Sequence, residues 1–142
     1  MYIRWIIYLC ITLLACSSCS NDNEPPVDSI AKRTVLIYMA ADNNLSSYGR
    51  QNLQELLKGA QSYGLRHENL IVYIDPYKES PRLLQIHENR LGVMIIDTLQ
   101  TYPEQNSATQ EVMKDVIQEV LSAFPAQSYG LILWSHGTSW LP

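Results

Sequence analysis

Thr34-Val35-Leu36-Ile37-Tyr38-Met39-Ala40 is an unbroken apolar run rich in β-branched residues, and Ala41-Asp42-Asn43-Asn44 ends it with a turn signal. A half-exposed strand would alternate apolar and polar residues, so a continuous run of this length marks a strand covered on both faces. After the turn, Ser46 or Ser47 is placed to cap a helix with Leu53, Leu56, Leu57 and Ala60 on its apolar face, at i, i+3, i+4 and i+7. Gly64 is its expected stop. A second buried strand follows at Leu70-Ile71-Val72-Tyr73-Ile74-Asp75, closed by Pro76.

Further along, Leu83-Leu84-Gln85-Ile86-His87 and Val93-Met94-Ile95-Ile96-Asp97 flank Glu88-Asn89-Arg90-Leu91-Gly92, which predicts a β-hairpin at the sheet margin. Ser107 precedes a helix carrying Val112, Val116, Val120, Leu121 and Phe124 on one side and ending at Pro125. Gly130-Leu131-Ile132-Leu133-Trp134 then reads as a third buried strand, running into Ser135-His136-Gly137. The order β-α-β-hairpin-α-β specifies an α/β fold, a three-layer sandwich with a mainly parallel sheet. Right-handed crossovers gather the strand C-termini along one edge, where ligands bind in such folds. Asp42, Asp75 and His136 each follow a strand and are expected at that edge.

His136 emerges from a strand, and Gly137 beside it allows close approach of another backbone. Imidazole is the side chain suited to move protons near neutral pH. His67 and His87 sit in polar surroundings and are expected to be solvated. His87-Glu88 is no zinc-protease motif, because the residue four positions after His87 is Leu91.

The 142 residues are 46% hydrophobic and 17% charged, a one-domain composition that excludes a disordered tail or a coiled coil. Ten Lys and Arg against fourteen Asp and Glu give a net charge of -4, with no basic tract to neutralise phosphates, so nucleic acid is not an expected partner. The three cysteines, Cys10, Cys16 and Cys19, all precede the body. A disulfide framework and a zinc–thiolate site are thereby excluded from the body.

Residues 1–15 are read as a signal peptide: Arg4 and the free amine, then an apolar run of about eleven residues, too short to span a bilayer. Leu13-Leu14-Ala15-Cys16 resembles the lipobox of bacterial lipoproteins, which implies cleavage before Cys16 and a lipid on its thiol. Cys16-Ser17-Ser18-Cys19 has CxxC spacing but neither the strand–helix junction of a redox pair nor two further zinc ligands. Residues 16–32 are polar, acidic and proline-containing, and read as a flexible tether. Asn21-Asp22-Asn23-Glu24 resembles the surface-export signals of Bacteroidetes lipoproteins. The expected location is therefore the bacterial cell envelope, with the chain held to a membrane, outer membrane or cell surface included, through Cys16.

The blocks at residues 34–45 and 124–137 resemble the clostripain family of cysteine peptidases, which has the caspase–hemoglobinase-type fold. Residues 33–142 correspond to the N-terminal part of that domain. The second block carries the resemblance: an apolar strand ending in Trp134-x-His136-Gly137 after Pro125-Ala126-x-x-Tyr129, continued by Trp140 and Pro142. The resemblance implies a His–Cys dyad in which His136 assists a cysteine after the next parallel strand, while the amide of Gly137 helps bind the oxyanion. It also implies a peptide or protein substrate with a basic residue, Arg in particular, before the cut. No cofactor is required by the residues; calcium enters only because clostripain itself depends on it. Asp42 is a candidate for the rim of the substrate cleft.

The body holds no nucleophilic cysteine. The chain is expected to be an N-terminal fragment or one half of a split enzyme, inactive alone and completed by a C-terminal half that supplies the thiol. The strand at residues 130–134 would then lie at an open edge, an aggregation hazard. Two other readings stand beside it. One is a non-catalytic envelope lipoprotein that binds peptide or a partner chain. The other is a serine hydrolase using Ser135, although Leu133 occupies the first glycine position of a nucleophile elbow.

Overall fold

The computed structural model describes residues 30–137, so the expectations for the signal, Cys16, Cys19, most of the tether, Trp140 and Pro142 fall outside the described residues. Strand β1 (Arg33–Ala41) forms where the apolar run predicts it and sits inside a five-stranded sheet of order β4-β3-β2-β1-β5. On one side it pairs in parallel with β2 (Glu68–Pro76), placing Tyr38 opposite Tyr73 and Met39 opposite Ile74. On the other it pairs in parallel with β5 (Tyr129–Trp134). The hairpin β3 (Arg82–Glu88) and β4 (Met94–Thr101) extends the sheet antiparallel from β2, so the parallel core has an antiparallel margin. Gly92, at φ +76°, and the Asn89 side chain, which accepts from the amides of Leu91 and Val93, form its turn.

The pleat explains why β1 and β2 are apolar throughout. Ile37, Met39, Val72 and Ile74 project to one face and pack with Leu53 and Ala60 of helix α1 (Ser46–Tyr63). Leu36, Tyr38, Ile71 and Tyr73 project to the other and pack with Val116 and Val120 of helix α2 (Gln110–Ala123). One helix covers each face, giving the three layers. Among the described residues no helix is long and apolar enough to cross a membrane.

The helix ends differ in part from expectation. Gly64 stops α1 at φ +71°, its N–H bonding to the carbonyl of Ala60. Neither Ser46 nor Ser47 caps the start: the N-cap is Leu45, without a side-chain bond, and the Ser46 hydroxyl instead accepts from the Tyr77 amide at 3.0 Å. Gly49 lets this end of α1 approach the sheet, since a Cβ there would lie 3.3 Å from that of Ala41. In α2 the Thr109 hydroxyl is the cap, and the buried stripe runs through Met113, Val116, Ile117, Val120 and Phe124. Leu121 falls off that stripe and is exposed, because it lies about 100° around the helix from Val120.

The third strand has interior composition but lies at the open edge expected where no further described strand stands beside it. Among the described strands β5 pairs with β1 alone, and its outer side is open. Leu131, Ile132 and Leu133 are 48%, 50% and 62% exposed. Apolar residues suited to an interior strand are here at the rim of the sheet.

Candidate active site

Strands β1, β2 and β5 run parallel, so their C-terminal ends, and the residues beyond them, share one edge. The carbonyl of Ala40, near the end of β1, organises that edge. It accepts from Asn43 Nδ2 at 3.2 Å and from the Ser135 hydroxyl at 2.9 Å, tying the turn after β1 to the turn after β5. Asn43 closes its own turn: its side-chain oxygen accepts from the Leu45 amide at 2.8 Å, and its backbone carbonyl accepts from the Ser46 amide. Across the tied turns, His136 Nε2 lies 2.7 Å from Asn44 Oδ1, and both residues are exposed.

Next to this pair lies a cavity of about 590 Å³ lined by Asp42, Asp75, Glu104, Asn106, Ser107 and Ser135, among others. Asp75, the penultimate residue of β2, is 1% exposed, and among the described residues neither of its carboxylate oxygens has a partner within hydrogen-bond distance. Burial pushes its carboxyl above the usual aspartate range, and the charges of Asp42 and Glu104 push the same way. The hydroxyl and backbone amide of Ser107, on the facing wall, act in the opposite direction. Asp42 is exposed at the mouth of the same cavity.

The far wall, residues 104–108, is held by the sheet's tyrosines. The buried Tyr38 hydroxyl donates to the Ser107 carbonyl at 2.8 Å, and Gln105 Nε2 donates to the Tyr73 hydroxyl at 3.1 Å. The two rings stack with centroids 4.5 Å apart, and Tyr102 meets Tyr73 edge-on at 5.7 Å. Burial raises the pKa of both Tyr38 and Tyr73, so the hydroxyls stay protonated.

Asp42, Asp75 and His136 thus reach the expected edge. Glu104, Ser107 and Asn44 join them without any sequence signal beyond their polarity. His87 is not merely solvated: its Nε2 meets Asp97 Oδ2 at 2.7 Å across the hairpin, far from the site. His67, in the connection before β2 at φ +67°, is also remote. No backbone approaches Gly137 among the described residues, and a Cβ built there meets open space. The Ser135 hydroxyl is engaged with Ala40 and contacts no base. Among the described residues no three His, Cys, Asp or Glu side chains converge as ligands of one metal ion.

Residues 37–142 match the model of the clostripain family. A solved cysteine protease of B. fragilis is 39% identical, with a TM-score of 0.73 over 80% of this chain and 95% of that one. An inactive zymogen C11 protease from Parabacteroides distasonis is 44% identical, with a TM-score of 0.75 over 84% of this chain and 34% of its own. A secreted C11 cysteine protease from Bacteroides thetaiotaomicron, solved in complex with an irreversible peptide inhibitor, is 42% identical, with a TM-score of 0.71 over 79% and 31%. The chain therefore spans about a third of the latter two chains and nearly the whole of the first. None of the curated proteins matches.

Proposed function

The chain belongs to the clostripain family, and from that membership we propose that it is the histidine-bearing part of a lipid-anchored cysteine endopeptidase directed to basic residues, Arg above all. The observation that carries the reading is His136 at the C-terminal edge of the parallel strands, its Nε2 engaged by Asn44, beside an acidic cavity. Imidazole there takes the proton of a cysteine thiol supplied by a complementary C-terminal half. The thiolate adds to the peptide carbonyl carbon, and the exposed amide of Gly137 donates to the resulting oxyanion. Collapse breaks the C–N bond, the imidazolium gives its proton to the leaving amine, and water then hydrolyses the thioester. General acid–base help of this kind is worth about 10²–10⁴-fold, and an oxyanion donor roughly 3 kcal/mol.

Three further observations support the reading. Asp42, Asp75 and Glu104 give the cavity negative charge suited to a guanidinium. The open apolar edge of β5 can accept a strand from the complementary half. The Bacteroides thetaiotaomicron relative was solved with a peptide inhibitor. Cys10, Cys16 and Cys19 lie before the body, so the 142-residue polypeptide by itself carries no peptidase activity under this reading. Lipid on Cys16 places the enzyme in the cell envelope.

The test mixes the chain with a cysteine-bearing C-terminal portion and follows cleavage of an Arg–amide peptide. Expected is activity that thiol alkylation abolishes and that His136→Ala lowers about 10²–10⁴-fold. No cleavage, or cleavage indifferent to His136→Ala, overturns the reading. Fractionation tests the anchor separately: Cys16→Ala should release the chain from membranes.

A further inference from the structure

We propose that Asn44 is the positioning residue of His136, accepting the Nε2 proton so that the imidazole is held in one orientation with Nδ1 as its basic nitrogen. The inference rests on reading His136 as the peptidase base. Two features of the turn carry it, the contact and a shared anchor.

The first is the contact itself, 2.7 Å between His136 Nε2 and Asn44 Oδ1. An amide oxygen has no proton to give, so in the neutral ring the proton of this bond must sit on Nε2. The second is the common anchor. Residues next to each partner, Asn43 and Ser135, both donate to the Ala40 carbonyl, so the two turns cannot separate without breaking side-chain bonds on either side.

The chemical consequence follows from exposure. His136 protrudes at the end of an edge strand, where an imidazole without a partner turns among its rotamers. A ring held at one nitrogen presents the other in a constant direction, and misplacement of a reacting group by about 1 Å costs on the order of 10²-fold. Because Asn44 is neutral, it orients the ring without adding the charge that a carboxylate in its place would supply.

The experiment labels histidine nitrogens in the full chain and records imidazole N–H resonances, with His136 assigned by the loss of its signals in His136→Gln. A solvent-protected Nε2 proton is expected in the wild type, absent in Asn44→Ala, and retained in Asn44→Asp, which offers the same acceptor. Backbone amide dispersion checks that each variant is folded. In the enzyme completed with its cysteine-bearing portion, Asn44→Ala should lower kcat about 10- to 100-fold with little change in KM, and Asn44→Asp should recover most of the loss. An Nε2 proton unmoved by Asn44→Ala, or lost in both variants, overturns the proposal, as does an undiminished kcat in Asn44→Ala. Absence of activity in the completed wild type would sink the peptidase reading alone, because the resonance experiment decides the hydrogen bond without any turnover.

Discussion

Replacing Asp75 by Asn is expected to stabilise the folded chain at neutral pH and to flatten its pH dependence. Asp75 is 1% exposed, and among the described residues neither oxygen has a partner within hydrogen-bond distance. An ionised carboxylate so placed has left bulk water for an environment in which Ser107 compensates only in part, since the net shift is upward. An unsatisfied buried polar group costs about 1–3 kcal/mol. The carboxylate borders a cavity of about 590 Å³ and not a dry core, so the lower part of that range, about 1–2 kcal/mol, applies here. For a domain of this size the gain corresponds to roughly 5–15 °C in Tm. The direction with pH follows from the raised pKa of the folded state. The folded chain holds the Asp75 proton more tightly than the unfolded chain does. The contribution of Asp75 is therefore most favourable at acidic pH and falls as pH climbs from the ordinary aspartate value, about 3.9, through the raised folded value. Urea unfolding at pH 4.5, 6 and 7.5, followed by circular dichroism, should show this decline in the wild type. Asp75→Asn, with no ionisable group at that position, should give a shallower decline, retaining the part that His87 contributes.

The two proteins should converge at the acidic end. A variant less stable than wild type at pH 7.5, or one with the same slope, would refute the reasoning. The penalty also bears on function. A guanidinium entering the cavity would offset it, so an arginine amide should raise the wild-type unfolding midpoint more than that of Asp75→Asn, which keeps only Asp42 and Glu104.

Other perturbations separate the wall, the margin and the edge. Tyr38→Phe keeps the ring stack but removes the buried bond to the Ser107 carbonyl; it should cost about 1–2 kcal/mol in urea unfolding and speed amide exchange at residues 105–108. The bond to Asp97 raises the pKa of His87, so this exposed pair favours the folded state below the ordinary imidazole value, about 6.5, and the benefit fades as pH rises through the raised one. Asp97→Asn should bring the His87 midpoint, followed by NMR titration, down toward that ordinary value. Leu133→Lys places a charge on the open strand, where Leu133 is 62% exposed; light scattering should show less self-association, with the unfolding free energy changed by no more than about 0.5 kcal/mol.

Much of this architecture was legible because burial patterns are local. The unbroken apolar runs of β1 and β2 announced strands covered on both sides, and Leu36 with Tyr38 facing α2 while Ile37 and Met39 face α1 is that prediction realised. Gly64 ended α1 as its freedom at positive φ suggested. The cap differs for a tertiary reason: Ser46 is of a capping residue type, but the segment after β2 passes close enough for the Tyr77 amide to claim its hydroxyl. The strand at Gly130-Leu131-Ile132-Leu133-Trp134 has interior composition and lies at the open edge expected of it, with one described strand beside it.

By itself the sequence determined the element order, the layering, the edge where Asp42, Asp75 and His136 gather, and, through Trp134-Ser135-His136-Gly137, the family. Periodicity and crossover handedness are enough for that, since both are set by the chain's own geometry. Only the tertiary structure decided which polar groups find partners. Asn44 and His136 stand 92 positions apart and meet because two turns share the carbonyl of Ala40. Asp75 is buried at the end of β2 beside a wall, residues 104–108, that Tyr38 and Tyr73 hold through their hydroxyls. Whether a hydrogen bond forms depends on the placement of atoms to within tenths of an ångström, and that placement is a product of the whole packed sheet.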